Sequence, residues 1–326
     1  MLTRPLGKAG PTLSQMALGC MGMSGMYGPS DESESIATIH AALDAGVTLL
    51  DTGDFYGMGH NEMLIGRALE GRRNAALLSV KFGAMRAPNG AFLGVDGRPA
   101  AVRNFLAYTL QRLRTDHIDI YRLSRFDPAV PIEETIGAIA DMIQAGYVRY
   151  IGLSEVGAET IRRAHAVHPI CDLQIEYSLI SRSIERSILP VVRELGIAIT
   201  AYGVLSRGLL TASPVATAGD FRAHLPRFSG ENGQQNRAMV DVLAAFASEK
   251  GATPAQVAIA WVMAQGDDIF PVIGARKRSQ LSESLGALNV QLTPDDAARL
   301  EEICNPARVA GDRYDARQMA MLDSEK

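Results

Sequence analysis

In the stretch TLLDTGDFYG, residues 48–57, two aspartates and a tyrosine follow a short apolar run, with no lysine or arginine among them. Asp51 and Asp54 thus bring like charges beside Tyr56 straight after a strand. A solvated Asp-Gly turn accounts for such a composition, and so does an active-site loop. Lys81, which closes a second apolar strand in LLSVKFG, bears on the choice. An ammonium at the end of an apolar strand is costly without an anion, unless its stem carries it to solvent. Asp51, one strand away, is the natural anion. A tyrosine of ordinary pKa, about 10, is a poor acid at neutral pH, and a nearby ammonium lowers that value. Asp51, Tyr56 and Lys81 therefore make sense as a proton-donating trio, with Lys81 depressing the phenol's pKa and Asp51 holding the ammonium charged.

Such a trio needs a scaffold that brings strand ends together. Short apolar strands recur: MALG at 16, TLLD at 48, LLSVK at 77, IDIYRLS at 118, YIGLS at 150, LQIEY at 173, IAITAY at 197 and IFPVIG at 269. Segments of helical spacing lie between them. Ile36, Ile39 and Leu43 end at Gly46; Val102, Leu106, Leu110 and Leu113 share a face. Pro131 opens a helix with Glu133 and Glu134 in its first turn, which stops at Gly146. Apolar strands alternating with amphipathic helices pair in parallel through right-handed crossovers. Eight such units predict an α/β (β/α)8 TIM barrel, with LTRPLGKAGPTLS as an N-terminal hairpin covering its bottom. No linker or composition shift divides the chain, so residues 1–326 read as a single barrel domain. Three segments are too long and irregular for tight connections: 83–100, 205–235 and the tail from about 305. The first two sit over the C-terminal rim, where barrels of this kind keep their catalytic groups. The strand ends there supply Asp51, Lys81, Ser124, then Ser154 and Glu155, then Gln174, Glu176 and Tyr177, and lastly Tyr202.

The 326 residues, 47% hydrophobic and 21% charged with a net charge of −4, give no reason to expect nucleic acid or an anionic membrane surface. Cys20, Cys171 and Cys304 are widely separated and form no CxxC or Cys/His cluster, which fits a reducing cytoplasm without disulfides or structural metal. The N-terminal residues have no signal-peptide core, and no run is long enough to span a membrane. His60, His117, His165 and His168 lack the spacing of a metal site, and no GxGxxG supports an open Rossmann sheet. Oligomeric state leaves no mark. Arg276, Lys277 and Arg278, between the eighth strand and a helix start, oppose the helix dipole unless an anion occupies the site.

The stretches GVTLLDTGDFYGMGHNEMLIGRAL, VKFG, YIGLSE, LQIEYSL, AYGVLSRGLLT and GDFRAHLPRF closely resemble the aldo-keto reductases, over nearly the whole chain. The chain is most similar to bacterial and plant-type members with long loops after strands three and seven. The resemblance implies metal-free, NADPH-dependent interconversion of aldehydes or ketones with alcohols by a cytosolic enzyme on a small-molecule substrate. It implies that Tyr56 protonates the carbonyl oxygen, that Ser154 and Gln174 hold the nicotinamide carboxamide, and that Tyr202 stacks on the ring. Glu155, Leu205, Arg207 and Gly274 would add cofactor contacts. Arg276 would meet the 2′-phosphate, with Gln280 and Glu283 near the adenine and ribose.

Two residues depart from the family pattern. Ser124, in RLSRFDP, stands where relatives carry a histidine, and Glu155 stands where many carry asparagine. A serine hydroxyl donates one hydrogen bond but does not titrate in the working range. Arg125, next along, is the competing donor, though alternation along a strand would turn it away from Ser124's side. The rival reading is a sensor that holds NADPH with little turnover. A hydrolase or lyase barrel using Lys81 as a Schiff base is a third, opposed by the aspartate that keeps the lysine protonated.

Overall fold

The computed structural model describes residues 1–211 and 220–326. A two-stranded antiparallel hairpin, β1 (Thr3–Pro5) and β2 (Thr12–Ser14), precedes the barrel. The barrel strands begin with β3 (Ala17–Gly19), β4 (Leu49–Gly53) and β5 (Leu77–Phe82). A second hairpin, β6 (Ala84–Arg86) with β7 (Phe92–Val95), lies outside it. The remaining barrel strands are β8 (Ile118–Leu123), β9 (Val148–Ser154), β10 (Ile170–Glu176), β11 (Ala198–Tyr202) and β12 (Ile269–Gly274). All eight pair in parallel and close in the order β10-β11-β12-β3-β4-β5-β8-β9. Each coincides with one of the eight apolar runs in the sequence.

The helices that cover the strands include α1 (Glu32–Asp44), α2 (His60–Ala68), α3 (Pro99–Leu113) and α4 (Ile132–Gln144). They continue with α5 (Ala158–Val167), α6 (Ile184–Leu195), α7 (Gly230–Glu249), α8 (Pro254–Ala264) and α9 (Arg278–Leu285). Their apolar stripes pack on the outer faces of the strands. In α4, for example, Ile132, Ile136 and Ile139 are buried while Glu133 and Glu134 occupy the first turn. The N-terminal hairpin plugs the bottom: Leu6 and Leu13 are fully buried in a cluster with Ala17, Leu49, Ile120, Ala198 and Phe270.

The segments read as irregular carry more structure than their sequence suggested. Residues 83–100 contain the β6–β7 hairpin and the start of α3. Of 205–235, residues 212–219 lie outside the described residues; the rest forms short 3-10 turns and the start of α7. α10 (Pro294–Ile303) ends just before the tail, and α11 (Ala316–Ala320) lies within it. This tail folds back over the barrel mouth.

Inside the barrel, one layer below the mouth, Arg122 and Asp172 are both fully buried. The guanidinium grips both carboxylate oxygens, at 2.8 and 3.0 Å, and reaches Ser79 Oγ at 3.1 Å. Thr200 adds a short hydrogen bond of 2.5 Å to Asp172. Gly152 on β9 makes the room: a Cβ there would lie 2.6 Å from Asp172 Oδ1.

Candidate active site

Above that layer the ends of β4, β5 and β10 meet. Asp51 and Lys81, 4% and 5% exposed, are joined at 2.5 Å. Gln174 bridges them, accepting from Lys81 Nζ at 2.7 Å and donating to Asp51 Oδ2 at 2.8 Å. Ser79 Oγ donates to the same aspartate oxygen at 2.9 Å. The lysine therefore does not snorkel to solvent. Burial pulls its pKa down, against the attraction of Asp51. Gln174, placed on the carboxamide by resemblance, is also bonded to both members of the Lys–Asp pair, with one amide hydrogen and one lone pair left over.

Tyr56 sits in the turn after β4, 6% exposed, its ring centroid 5.3 Å from Lys81 Nζ. Its pKa lies well above that of free tyrosine, pushed up first by burial and then by Asp51. The expected depression by Lys81 is therefore not what the geometry gives, because the ammonium is spent on Asp51 and Gln174. The cation that does pull the phenol down is Arg125. Alternation had turned Arg125 away, but β8 ends at Leu123, so Ser124 and Arg125 lie in the bend beyond it, where alternation no longer holds.

Asp54 answers the question of like charges. It has no cation of its own: Gly83 N–H donates to one oxygen at 3.1 Å, and the other has no partner among the described residues. Burial raises its pKa to about 7. Through Gly83, Asp54 pins the loop to the strand of Lys81.

Three buried hydroxyls at the mouth, on Ser124, Ser154 and Ser206, have no hydrogen-bond partner among the described residues. Buried polar groups are nearly always paired, so these three fit the polar edge of a bound molecule. The donor set suits a carboxamide and a carbonyl oxygen, which is the fit a nicotinamide and its reaction partner require. Leu205 and Arg207 flank Ser206 in a tight turn; Arg207 has φ 56° and pairs with Glu176 at 3.0 Å.

Glu155, the second residue out of pattern, is explained by the tail. Arg313 forms two hydrogen bonds to it, at 2.9 and 2.7 Å; Tyr202 OH and Ser324 Oγ donate at 2.6 and 2.7 Å. Burial would raise its pKa, but Arg313 holds it well below the ordinary carboxylate range. Its partners in the structure are thus Arg313, Tyr202, Ser324 and the backbone N–H of Glu176, which donates at 3.0 Å. Arg313 also reaches Glu176 and Glu325. Tyr314 follows, its hydroxyl 3.1 Å from that of Tyr202 and its ring under Arg207, 4.4 Å away. Sequence reasoning missed Arg313 and Tyr314; the one available signal was the unbalanced Glu155.

On the far side, Gly274 at the end of β12 is exposed, as are Lys277, Gln280 and Glu283. Arg276 Nη1 donates to three carbonyls of the loop after β3, those of Tyr27, Gly28 and Pro29, at 2.9, 3.2 and 3.2 Å. Gln280 accepts from Arg276 N at 3.1 Å. Arg278 is paired with Glu34 at 2.9 Å. Carbonyls orient Arg276 without neutralising it. Among the described residues no helix is long and apolar enough to cross a membrane.

The model of the aldo/keto reductase family matches residues 15–305. Among solved structures, the chain is similar to the glycerol dehydrogenase AKR11B4 from Gluconobacter oxydans, at 31% identity and TM-score 0.84, over 96% of this chain and 97% of that one. It is also similar to the aldo-keto reductase AKR11C1 from Bacillus halodurans in its holo form, at 26% identity and TM-score 0.79, over 98% and 99%. A third is the thermostable aldo-keto reductase Tm1743 with the inhibitor epalrestat, at 27% identity and TM-score 0.72, over 93% and 100%. Family members use nicotinamide cofactors and interconvert carbonyls and alcohols. The barrel, the strand-end cluster and these matches together show that the chain belongs to the aldo-keto reductase family and is an oxidoreductase.

Proposed function

We propose that this protein is an NADPH-dependent reductase of aldehydes or ketones, working reversibly, with Tyr56 as the proton donor. The observation that carries the reading is the buried Lys81–Asp51–Gln174 cluster beside a buried, protonated phenol. A bound nicotinamide supplies the hydride. Tyr56, held protonated by burial, gives its proton to the oxygen as that oxygen becomes an alkoxide, a stronger base than phenolate. Lys81 is a fixed positive charge near the phenol that eases its departure from neutrality as the proton moves. Asp51 and Gln174 fix that charge in place. Ser124 Oγ and Ser154 Oγ supply free donors for the carbonyl and the carboxamide. Tyr202 offers its ring to the nicotinamide, beside Leu205 and Arg207. At the other end Arg276 receives the 2′-phosphate, and exposed Gln280 and Glu283 flank the adenosine. The buried, unpaired cysteines support a reducing compartment, the cytoplasm, and residues 1–326 act as one domain.

The test is turnover of NADPH and NADH with a panel of aldehydes and, in reverse, with alcohols including glycerol, the substrate in the name of the Gluconobacter relative. General acid catalysis contributes roughly 10²–10⁴-fold, so Tyr56→Phe should cut kcat by about that factor while retaining NADPH binding. Undiminished turnover in that variant removes Tyr56 from the mechanism. Tight NADPH binding with no turnover of any substrate by the wild type supports the sensor instead.

A further inference from the structure

The cations around the mouth are not all alike. Lys81 has Asp51, Arg207 has Glu176, and Arg313 has Glu155, Glu176 and Glu325. Arg227 lies 3.8 Å from Glu176, and Arg222 pairs with Asp220. Arg125 differs. Its guanidinium donates to the carbonyl of Ser124 at 2.7 Å and makes a long 3.5 Å contact with the Tyr314 hydroxyl, and it forms no ion pair with a described carboxylate. A half-buried guanidinium satisfied only by neutral oxygens keeps its full charge in a poorly solvated place.

The position of that charge limits what can meet it. β8 and β12 are separated by β5, β4 and β3, which puts them on opposite sides of the eight-stranded ring. A phosphate held at Arg276, beyond β12, is therefore out of reach of Arg125. Arg125 instead shares the β8 side of the mouth with Ser124 and acts electrostatically on Tyr56 and Tyr202. Tyr314, whose side chain now meets the guanidinium, carries its hydroxyl on a terminal tail, the kind of partner an incoming anion can displace. The charge beside Ser124 is single, since Lys81, Arg207 and Arg313 have carboxylate partners, and a dianionic phosphate would call for a second. A planar guanidinium matches a carboxylate in both charge and geometry.

We propose that Arg125 is a substrate-reading residue, and that the carbonyl compound reduced here carries a carboxylate, which Arg125 receives in place of the Tyr314 hydroxyl. This rests on the reading of Tyr56 as proton donor to a carbonyl. The carboxylate anchors the far end of the substrate, so the carbonyl is presented to Tyr56 and Ser124 in one orientation. No bond is made or broken at Arg125.

The probe pair is 4-oxobutanoate and its methyl ester, which share the aldehyde and differ in the charge. Wild type and the variants Arg125→Met and Arg125→Lys are assayed with NADPH on both. Hydrogen bonds to charged groups contribute about 1.5–3 kcal/mol, so the acid-over-ester ratio of kcat/KM should fall about 10–100-fold in Arg125→Met, chiefly through KM of the acid. Arg125→Lys keeps the charge without the fork and should retain part of the preference, which guards against a poorly folded methionine variant. Equal losses on acid and ester, or a wild type that prefers the ester, overturns the proposal. So does a stronger preference for glyceraldehyde 3-phosphate over glyceraldehyde than for the acid over its ester. Failure of the underlying reading looks different: the wild type then turns over neither probe with either cofactor.

Discussion

Two buried cation–carboxylate pairs lie one above the other in this barrel, and they are built differently. In the lower pair, Arg122 and Asp172 are fully buried and the carboxylate is surrounded by donors from β8, β11 and its own strand. In the upper pair, Lys81 and Asp51 are nearly as buried, yet around them lie a phenol held protonated and, among the described residues, a carboxyl without an ion pair and serine hydroxyls without partners. Among the described residues the lower layer has spent its hydrogen-bonding capacity on itself, all but the Arg122 Nε–H; the upper layer has kept more in reserve, in Asp54 and the serine hydroxyls. Spare polar capacity in a buried place costs stability and has use only when something else binds there. The contrast separates architecture from chemistry in a single stack of side chains.

The largest effect that would break this contrast is removal of each cation. Arg122→Met leaves Asp172 buried and unpaired, a loss that costs about 3–5 kcal/mol. Lys81→Met should cost clearly less, because Asp51 keeps Ser79 Oγ and Gln174 Nε2 as donors. Turnover should show the opposite order, with Lys81→Met the more damaged. Urea denaturation and NADPH oxidation on the same preparations measure both. A Lys81→Met protein as destabilised as Arg122→Met, but still turning over, would mean that the upper pair is architecture too.

The two layers also differ in how far they can be read from sequence. Apolar strands such as LLSVK and IDIYRLS announce themselves through local composition, and each barrel strand lies where such a run stands. Asp51 and Lys81 were legible for the same reason: a charge closing an apolar strand demands a partner, and the ring topology leaves one candidate. The direction of Arg125 was not legible, because it depends on where β8 stops, and strand alternation ends at Leu123. Arg313 and Tyr314 were invisible because they meet Glu155 and Tyr202 across more than a hundred residues of chain, in a tail with no periodicity of its own. The Arg122–Asp172 pair escaped notice too, because a charge inside a strand reads as ordinary alternation until the barrel closes around it.

A middle-sized effect sharpens the comparison through pH. Asp54 titrates at about 7 in the folded protein because of burial, against 3.8 for its ordinary value. Below about pH 4 both states hold the proton and Asp54 contributes no pH dependence. Between about 4 and 7 the unfolded chain releases the proton while the folded protein retains it, so rising pH favours unfolding; above 7 the penalty is constant. The slope approaches 1.4 kcal/mol per pH unit at most, from the value of one pKa unit. Asp54→Asn removes this contribution. Its stability relative to the wild type should therefore improve from pH 4.5 to 7.5 and then level off, as read from denaturation midpoints across that range. Parallel profiles would show that Asp54 is ionised in the folded state like any surface carboxylate.

The smallest effect tests the spare hydroxyls themselves. Ser124 Oγ is 1% exposed and unpartnered, whereas Thr200 Oγ1 is fully buried and bonded to Asp172. Removing a hydroxyl that makes a buried hydrogen bond, and stranding its partner, costs about 1–3 kcal/mol, whereas removing one that makes none relieves a desolvated polar group and is close to neutral. Thr200→Val should accordingly lower the urea midpoint, with the added loss that Asp172 keeps fewer donors for its charge. Ser124→Ala should leave the midpoint within the equivalent of about 0.5 kcal/mol of wild type, or raise it slightly. Its cost should appear in the assay instead, as a higher KM for the carbonyl, because the donor is lost only when a substrate is there to accept from it. Equal destabilisation by both substitutions would mean that the Ser124 hydroxyl is already satisfied in the folded protein, and the mouth would then hold no more reserve than the layer beneath it.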